Sequence, residues 1–498
     1  MSPRDGLDGG EPVNVPRLQV SSSLRRIAAN AASMLASDVI NRATTFALYA
    51  LVARSLGAYQ FGQLSLALTL FYTFQILAVA GLKTLVTREV ATRRERTDEM
   101  LVNGSVVVLA TAIASIGAQA FFVWAMGYSA DTARVVLLLS LGLLPYALTA
   151  IYEAVFQGWE RMRLIAFANV PVNVVKIVLA FAVLHFGSGL TTIVTILVAS
   201  YAIIVAIELW LTFRYISVPQ LRLSLSVMYW MLRSTVTFLG IDGIIAVTGS
   251  LNVILLSKMR SETEVGLYNA GTQLMVPVAL IYTSIVLSVF PVMCRRYEPT
   301  LQGIKRIGER VIELMLGVAL PTSVGLFLLS STAITVLYGH GLARASVGMQ
   351  IMVWGLILSA MTSILGQVLV ASLRERVTLR IVVVDLVVSV VAGVLLIWQF
   401  GYIGAAATAL ITRGVDLFLH YRPVASMFPL RKLLLAAWKP ATATGVMVLA
   451  YGAFEPHGLV AAALAAGIIY LLVFAALMVA DTGSVANLKV RYRYLWSE

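Results

Sequence analysis

Apolar runs of about 20 residues recur along the whole chain, and they constrain its fold more than any other feature. Backbone groups in lipid must form their hydrogen bonds within the protein, and these runs are too long and too uniformly apolar for barrel strands. Hydrophobic residues make up 59% of the 498-residue chain and charged residues only 12%, about half the usual share in a soluble protein. The sequence therefore predicts an all-α, polytopic membrane protein with nearly all of its mass in the bilayer.

Fourteen spans are predicted from these runs, and the charges of the loops support that number. The spans lie near 28–52, 60–81, 101–126, 134–157, 164–186, 190–213, 229–256, 265–292, 309–331, 346–371, 378–398, 403–421, 434–454 and 458–480. With both termini in the cytoplasm, the outer loops hold only five of the 37 Lys and Arg residues: Arg54, Arg134, Lys258, Arg260 and Arg344. This bias follows the positive-inside rule and predicts a multi-pass plasma-membrane protein with cytoplasmic N- and C-termini.

Two stretches of the chain resemble each other at an offset of about 214 residues, which indicates a duplication. The segment 156–161 begins an inner turn that is followed by a span and by 185–187, and 371–376 is followed in the same way by 399–401. Two six-helix lobes of the same orientation are predicted, an arrangement typical of rocking transporters. The predicted parts are a disordered cytoplasmic tail (1–26), an N-terminal lobe (27–215), a cytoplasmic linker (216–228), a C-terminal lobe (229–425) and two additional helices with a cytoplasmic tail (426–498).

Several function classes have no signature in the sequence. A net charge of +13 would suggest a nucleic-acid partner in a soluble protein, but the positive-inside rule accounts for it here. The chain lacks the Gly-x-x-x-x-Gly-Lys-Ser/Thr motif that binds nucleotide phosphates, it has one cysteine (Cys294), and its four histidines are scattered. No loop is long enough for a catalytic domain. We therefore predict that the protein is not an enzyme and has no cofactor, metal site or nucleic-acid partner.

Ionisable residues far from the ends of the spans are the candidate functional residues. Each costs roughly 2.5–3.5 kcal/mol at the centre of an inserted helix, so each needs a partner, water or a function. In span 1, Asp38 and Arg42 are four residues apart, with Asn41 beside them. They either pair with each other or line a wetted cavity in which Arg42 meets an anion. In span 5, Asn173 and Lys176 share one stripe, and Lys176 has no acid one turn away, which favours a functional role.

Spans 7 and 12 add three further candidates. Arg413 lies near the middle of span 12, with Asp416 three residues later. Asp242 in span 7 has three open interpretations: it pairs across the lobes with Arg42 or Lys176, it binds a proton or sodium ion, or it is an ordinary buried carboxylate. Deep cations from both lobes suit a cavity for a large anionic substrate, since the fork of an arginine binds two phosphate oxygens at once.

Four other titratable residues receive structural interpretations. Glu153, Glu208 and Asp385 lie nearer the cytoplasmic ends of their spans and are interpreted as interfacial. His420, near the inner end of span 12, is interpreted as structural.

Six short motifs follow one another in a consistent order along the chain. They are ARSLG-x-x-x-FG at 53–62, GL at 81–82, TREVA at 87–91, VGLYNA at 265–270, FP at 290–291 and GYIGAA at 401–406. Their layout resembles that of the polysaccharide-synthesis flippases, the Wzx-type oligosaccharide transporters, over almost the whole chain. The resemblance implies the fold of the multidrug/oligosaccharidyl-lipid/polysaccharide exporter superfamily, in which two six-helix lobes form a V around a central cavity.

The resemblance also implies a substrate, an oligosaccharide repeat unit on a polyprenyl diphosphate. Such a unit is moved from the inner to the outer leaflet by alternating access, for the biosynthesis of O-antigen, exopolysaccharide or capsule. Because family members bind the diphosphate sugar with cavity Arg and Lys, the predicted substrate-binding residues are Arg42, Asn41, Lys176, Asn173 and Arg413. The residues predicted to couple an ion or to pair charges are Asp38, Asp242 and Asp416.

The predicted partners are the lipid-linked oligosaccharide, the lipid bilayer, and the polysaccharide polymerase and glycosyltransferases that handle the same glycan. The chain is expected to be a monomer.

Three alternative functions stay open. A cation-coupled multidrug exporter of the same superfamily should prefer acids in its cavity, and a lipid II flippase shares the chemistry of the main hypothesis. The short outer loops count against a membrane-embedded glycosyltransferase or polymerase.

Overall fold

The computed structural model describes residues 17–79, 81–295, 301–371 and 375–484, and these residues form helices and short connections without a β-strand. The helices are α1 (Arg17–Val79), α2 (Leu82–Thr92), α3 (Thr97–Met126), α4 (Ala130–Ser140), α5 (Leu143–Gly158), α6 (Arg163–His185), α7 (Leu190–Tyr215), α8 (Leu225–Met259), α9 (Glu262–Arg295), α10 (Leu301–Tyr338), α11 (Ala345–Met352), α12 (Gly355–Ala371), α13 (Glu375–Phe400), α14 (Tyr402–Tyr421), α15 (Leu430–Phe454) and α16 (Leu459–Thr482). Residues 1–16 of the predicted tail lie outside the described residues, and α1 begins within the remainder of that tail.

Helix α1 consists of two membrane spans joined at Gly57. Its apolar part, Ala36–Val79, has 44 residues, which corresponds to about 66 Å of helix, twice the thickness of the hydrocarbon layer. Gly57 has φ 80°, a left-handed conformation that favours glycine, and it separates α1a (17–56) from α1b (58–79). Thirteen stretches of the described chain are long and apolar enough to cross a membrane, and dividing the first gives fourteen. The predicted all-α polytopic fold is confirmed.

Corresponding irregularities occur in the two halves of the chain. One membrane span turns between α4 and α5, and another turns in the same way between α11 and α12. Glycines with positive φ precede these two spans at Gly127 and Gly339, and another such pair, Gly187 and Gly401, follows the next span in each half. The members of these pairs are 212 and 214 residues apart, close to the offset that the sequence repeat indicates. The boundaries of the two lobes stay a prediction.

Apolar side chains pack in three clusters along the bundle. Following the predicted topology, we call the end that carries the loops near 57, 127, 260 and 339 the outer end. The largest cluster joins the N-terminal spans to both ends of α8 and to the outer parts of α9, α10 and α14. A second cluster fills the inner part of the C-terminal spans, and a small third cluster lies between α15 and α16. The two halves therefore share one apolar core at the outer end.

Backbone contact between α1b and α9 closes the outer end. A Cβ atom on Gly62 would lie 1.7 Å from the carbonyl oxygen of Glu262, and one on Gly266 would lie 2.5 Å from a carbonyl oxygen of α1. Beside this crossing, the Thr132 hydroxyl donates to the Glu262 carboxylate at 2.8 Å and accepts from the Gln63 amide at 3.0 Å. At Gly62 and Gly266 only glycine permits the two helices to approach so closely. We call Gly62, Gln63, Thr132, Glu262 and Gly266 together the outer seal, because they hold the outer end closed.

The segment predicted as a linker, 216–228, lies against α3. Asn103 donates to the backbone carbonyl of Arg222 at 3.1 Å and accepts from the backbone N–H of Ser224 at 2.8 Å. The helix that follows, α8, packs against α2 and α3 and also against α13. Helix α8 therefore contacts both halves of the molecule.

A buried ion cluster attaches α15 and α16 to the rest of the bundle. The Lys439 ammonium of α15 lies 2.8 Å from the Glu313 carboxylate of α10 and 2.6 Å from the Asp481 carboxylate of α16. Closer to the inner surface, Lys432 lies 2.7 Å from Glu309. The two additional helices are thus held to α10 by charge pairs as well as by apolar contact.

Candidate functional site

A cavity of about 310 Å³ lies among α1, α2, α5, α6 and α7, and we call it the N-terminal cavity. Four of the predicted site residues line it: Asp38, Asn41, Asn173 and Lys176. Gln75, Lys83, Glu153 and Asn169 complete much of its polar wall. Helices α1a and α6, which carry the predicted polar stripes, pack against each other, and this packing brings the stripes into one cavity.

Helix α6 presents its polar stripe as a chain of hydrogen bonds. The Lys176 ammonium donates to Asn173 Oδ1 at 2.5 Å, and Asn173 donates to the backbone carbonyl of Asn169 at 2.9 Å. Asn169 donates in turn to Glu153 Oε1 at 3.2 Å. Lys176 is only 7% exposed, and no carboxylate of the described residues lies within 4.0 Å of it. Its charge is therefore desolvated without a compensating negative charge.

Lys83 and Glu153 form an ion pair on the wall of this cavity, with 2.5 Å between Nζ and Oε2. Lys83 stands in the first turn of α2, and Glu153 lies on α5. The interpretation of Glu153 as interfacial is wrong, because its carboxylate binds both Lys83 and Asn169. The sequence did not single out Lys83 as a site residue. Lys83 directly follows the Gly81-Leu82 motif, but the motif gives it no role. The assignment of spans from the sequence could not show that α2 packs against α5 and so brings Lys83 to Glu153.

A second cavity, of about 630 Å³, lies between α1 and α9, and we call it the interlobe cavity. It shares Asp38, Asn41 and Tyr72 with the N-terminal cavity, so the two are continuous. Arg42 also lines it and has an exposed side chain. Asp38 and Arg42 have no ion-pair partner within 4.0 Å in the described part of the chain. The pair that the sequence allowed is thus not formed, and both residues instead belong to the cavity wall.

A third cavity, of about 390 Å³, lies among α9, α12 and α14, and we call it the C-terminal cavity. Arg413 lines it together with Tyr268 and Thr272, and Val276 belongs both to this cavity and to the interlobe cavity. Across the described ranges, no carboxylate approaches Arg413 within 4.0 Å. The three cavities therefore follow one another through the centre of the molecule and bring Lys176, Arg42 and Arg413 onto one path.

The remaining predicted residues lie elsewhere. The Asp416 carboxylate lies 2.9 Å from Nδ1 of His420 and next to the Asp385 carboxyl, so it does not pair with Arg413. Asp385 is buried, which corrects its interpretation as interfacial. Asp242 has an exposed side chain and no charged partner among the described residues, so it pairs with neither Arg42 nor Lys176. Neither Asp242 nor Asp416 lines the three cavities.

Basic side chains outnumber acidic ones along the three linked cavities. The basic residues are Lys83, Lys176, Arg42 and Arg413, and the acidic ones are Asp38 and Glu153. The Lys83–Glu153 pair is neutral as a unit, so two arginines and one lysine face a single aspartate. Such a site attracts an anion, and the effect is strong because partly buried charges are little screened by salt.

Comparisons with known proteins agree with this architecture. The family model described as "Polysaccharide biosynthesis protein" matches residues 27–296, more than half of the chain. No curated protein sequence matches the chain. A structure of the lipid II flippase MurJ in an inward closed conformation has a TM-score of 0.72 at 15% identity, and the match covers 91% of this chain and 99% of that one.

Two further structures belong to multidrug resistance MATE family transporters of the MOP superfamily. An inward-facing conformation gives a TM-score of 0.64 at 13% identity and covers 78% of this chain and 95% of that one. An outward-facing conformation gives 0.55 at 12% identity and covers 81% and 96%. At these identities the likeness shows a shared fold, that of helical transporters with MurJ-like and MATE-like architecture.

Proposed function

Because the chain belongs to the polysaccharide biosynthesis protein family, we propose that it is a flippase that moves a polyprenyl-diphosphate-linked oligosaccharide from the inner to the outer leaflet of the plasma membrane. One observation carries the proposal: Lys176, Arg42 and Arg413 lie along linked cavities that run from the N-terminal half to the C-terminal half, and none of them has a carboxylate within 4.0 Å among the described residues. A diphosphate is the part of the substrate that such cations favour, since charge-assisted hydrogen bonds to phosphate are strong.

The cavities separate the chemically different parts of this substrate. The diphosphate binds Lys176 and Arg42, and Arg413 receives it on the C-terminal side. Neutral polar side chains such as Asn41, Asn173 and Gln75 offer hydrogen bonds to sugar hydroxyls. The polyprenyl tail stays in the hydrocarbon layer, because its transfer into a polar cavity would be unfavourable.

The outer seal determines which end of the cavities is closed in this conformation. In this conformation the Gly62–Gly266 crossing and the Thr132–Glu262 hydrogen bond close the outer end, so a bound head group has no outward path. Release requires α1b and α9 to separate there, which is the alternating access expected of paired lobes. A membrane potential that is negative inside favours expulsion of an anion by about 2.3 kcal/mol per charge per 100 mV.

The proposed function implies the partners, the location and the oligomeric state of the protein. Glycosyltransferases supply the lipid-linked oligosaccharide at the inner leaflet, and a polymerase consumes it at the outer leaflet. The protein therefore works in the plasma membrane with both termini on the cytoplasmic side. A single chain contains all three cavities, so a monomer suffices for transport.

Reconstitution tests the proposal directly. A polyprenyl-diphosphate oligosaccharide with a fluorescent label is placed in both leaflets of proteoliposomes, and a membrane-impermeant reductant bleaches the label that reaches the outer leaflet. We expect complete bleaching with the wild type and slower bleaching with Arg42→Ala, Lys176→Ala and Arg413→Ala. Lys432→Ala is the matched control, because Lys432 pairs with Glu309 away from the cavities. Wild-type protein that leaves the inner-leaflet label unbleached would refute the flippase proposal, and unchanged rates in all three cavity variants would refute the site.

The substrate panel distinguishes the alternatives. A lipid II flippase moves labelled lipid II in the same assay and leaves the oligosaccharide carrier in place. A cation-coupled multidrug exporter moves cationic dyes, which the positive balance of these cavities disfavours. Faster transport of either substrate than of the lipid-linked oligosaccharide would reassign the function.

A further inference from the structure

Glu208 is a buried carboxyl group behind the wall of the N-terminal cavity. It lies on α7 and is 0% exposed, and neither of its carboxyl oxygens has a hydrogen-bond partner among the described residues. Thr149 and Glu153 of α5 interact with it, and both line the cavity, whereas Glu208 does not. The interpretation of Glu208 as interfacial is therefore wrong.

The charges around Glu208 do not neutralise it. In the described part of the chain, the charged and titratable residues that interact with it are Lys83 on α2 and Tyr152 and Glu153 on α5. Lys83 is already paired with Glu153 at 2.5 Å, and Glu153 itself repels a second negative charge. An isolated carboxylate in the interior costs so much free energy that the group holds a proton instead.

We propose that Glu208 is a proton-binding site linked to the anion-binding N-terminal cavity, an inference that rests on the proposed function only for the identity of the anion. In the conformation described here the carboxylic acid keeps its proton, with Thr149 between it and the cavity. When α5 and α7 move apart and water reaches the group, the O–H bond breaks, the proton leaves as hydronium, and the electron pair stays on the carboxylate.

Substrate and proton bind cooperatively at this site. A diphosphate that attracts the Lys83 ammonium leaves Glu153 without its cation and adds negative charge beside Glu208. Both effects favour the neutral form of Glu208, and by thermodynamic linkage a protonated Glu208 strengthens the binding of the anion. Departure of the substrate weakens this cooperativity, so release of the head group promotes release of the proton.

Infrared spectroscopy detects the proton without any transport assay. The wild-type minus Glu208→Gln difference spectrum of the purified proteins at neutral pH should contain the C=O stretching band of a protonated carboxyl. Glu208→Asp keeps a carboxyl group at the position and should retain a band at a changed frequency. Glu455→Gln is the matched control, because Glu455 is exposed at the outer surface and its removal should leave the band intact.

The linkage is measured with inorganic diphosphate as the probe. Its affinity for the wild type should fall with rising pH by up to about tenfold per pH unit more than its affinity for Glu208→Gln. Titration of the probe itself is the same in every sample, so only the difference between variants reports on the protein. Glu455→Gln should follow the wild type.

The outcomes separate the two proposals. Absence of a Glu208-dependent infrared band, or equal pH slopes in wild type and Glu208→Gln, overturns the proton site or its linkage. Wild-type protein that shows the band but binds no diphosphate at any pH overturns the proposed function and leaves the proton site standing.

Discussion

Among the described residues of the membrane-spanning part, two lysines are buried, and their surroundings differ in kind. Lys176 is 7% exposed and its ammonium has one neutral partner, Asn173. Lys439 is 3% exposed and contacts two carboxylates, those of Glu313 and Asp481. Burial is thus nearly equal, and the charge balance distinguishes the two sites.

This difference indicates which buried charge is structural and which is available to a ligand. Lys439 lies where three helices meet, and its charge is already neutralised, so a further anion gains nothing there. Lys176 stands on the wall of a cavity and has no carboxylate within 4.0 Å among the described residues, so an incoming anion supplies a negative charge that these residues do not. Under the proposed function, the anion site is therefore marked by Lys176, which has no carboxylate within 4.0 Å among the described residues.

The largest expected effect is the loss of stability when Lys439 is neutralised. Lys439→Met removes the ammonium that lies 2.8 Å from the buried Glu313 carboxylate, and breaking a buried pair on one side costs about 3–5 kcal/mol. Denaturant titration in mixed micelles measures the free energy of unfolding. Lys432→Met is the control, because its partly exposed pair with Glu309 is worth about 0–1 kcal/mol at most.

A second variant checks the cause of that loss. Lys439→Met combined with Glu313→Leu replaces both members by apolar side chains and should recover much of the lost stability. Equal losses for Lys439→Met and Lys432→Met would mean that burial does not distinguish these pairs.

The converse is expected at Lys176. Lys176→Met removes a desolvated charge that has no carboxylate partner, so the free energy of unfolding should stay the same or rise. Flipping should slow by about 10–100-fold, since a hydrogen bond to a charged group contributes about 1.5–3 kcal/mol. Proteoliposome flipping and denaturant titration on the same preparation test both halves of the prediction. A large drop in stability together with normal flipping would place Lys176 in the structural class with Lys439.

The sequence predicted one of these lysines and overlooked the other. Lys176 lies in the middle of a clear span with two asparagines on its stripe, so helical spacing alone identified it. Lys439 stands a few residues inside the predicted start of span 13, where a lysine is ordinary for a cytoplasmic boundary. Its partners come from α10 and α16, and no periodicity within one helix indicates which distant helices will meet.

The sequence does not show which helices meet, and this also explains why the interpretations of the acidic residues were wrong. Fourteen spans and the helical fold follow from local hydrophobicity, so the sequence predicts them. Whether Glu153, Glu208 and Asp385 face headgroups or the protein interior depends on contacts between helices. Proximity in the chain also suggested pairing of Asp38 with Arg42, but both line the cavity beside α1a and neither has an ion-pair partner within 4.0 Å among the described residues.

A smaller effect is expected when the shape of a cavity cation changes while its charge is kept. Arg42→Lys and Arg413→Lys retain one positive charge but lose the two-pronged contact with phosphate oxygens. Each should slow flipping by about tenfold or less, and the corresponding alanine variants should be slower still. Rates for the lysine variants that match those of the alanine variants would mean that geometry, more than charge, determines binding.

The smallest effect is expected at the Lys83–Glu153 pair. Lys83 shares one property with the cavity lysine, Lys176, and one with the structural lysine, Lys439. Lys83 lines the cavity as Lys176 does, yet it has a carboxylate partner as Lys439 does, and its side chain is 38% exposed. A double-mutant cycle with Lys83→Gln, Glu153→Gln and the combined variant should give a coupling free energy of unfolding of about 1 kcal/mol or less, because solvent screens the pair. In flipping assays Lys83→Gln should be slower than the combined variant, since it leaves the Glu153 carboxylate free to repel the diphosphate. If the combined variant is the slower one, the attraction of Lys83 for the diphosphate outweighs the repulsion by Glu153, and Lys83 belongs with Lys176.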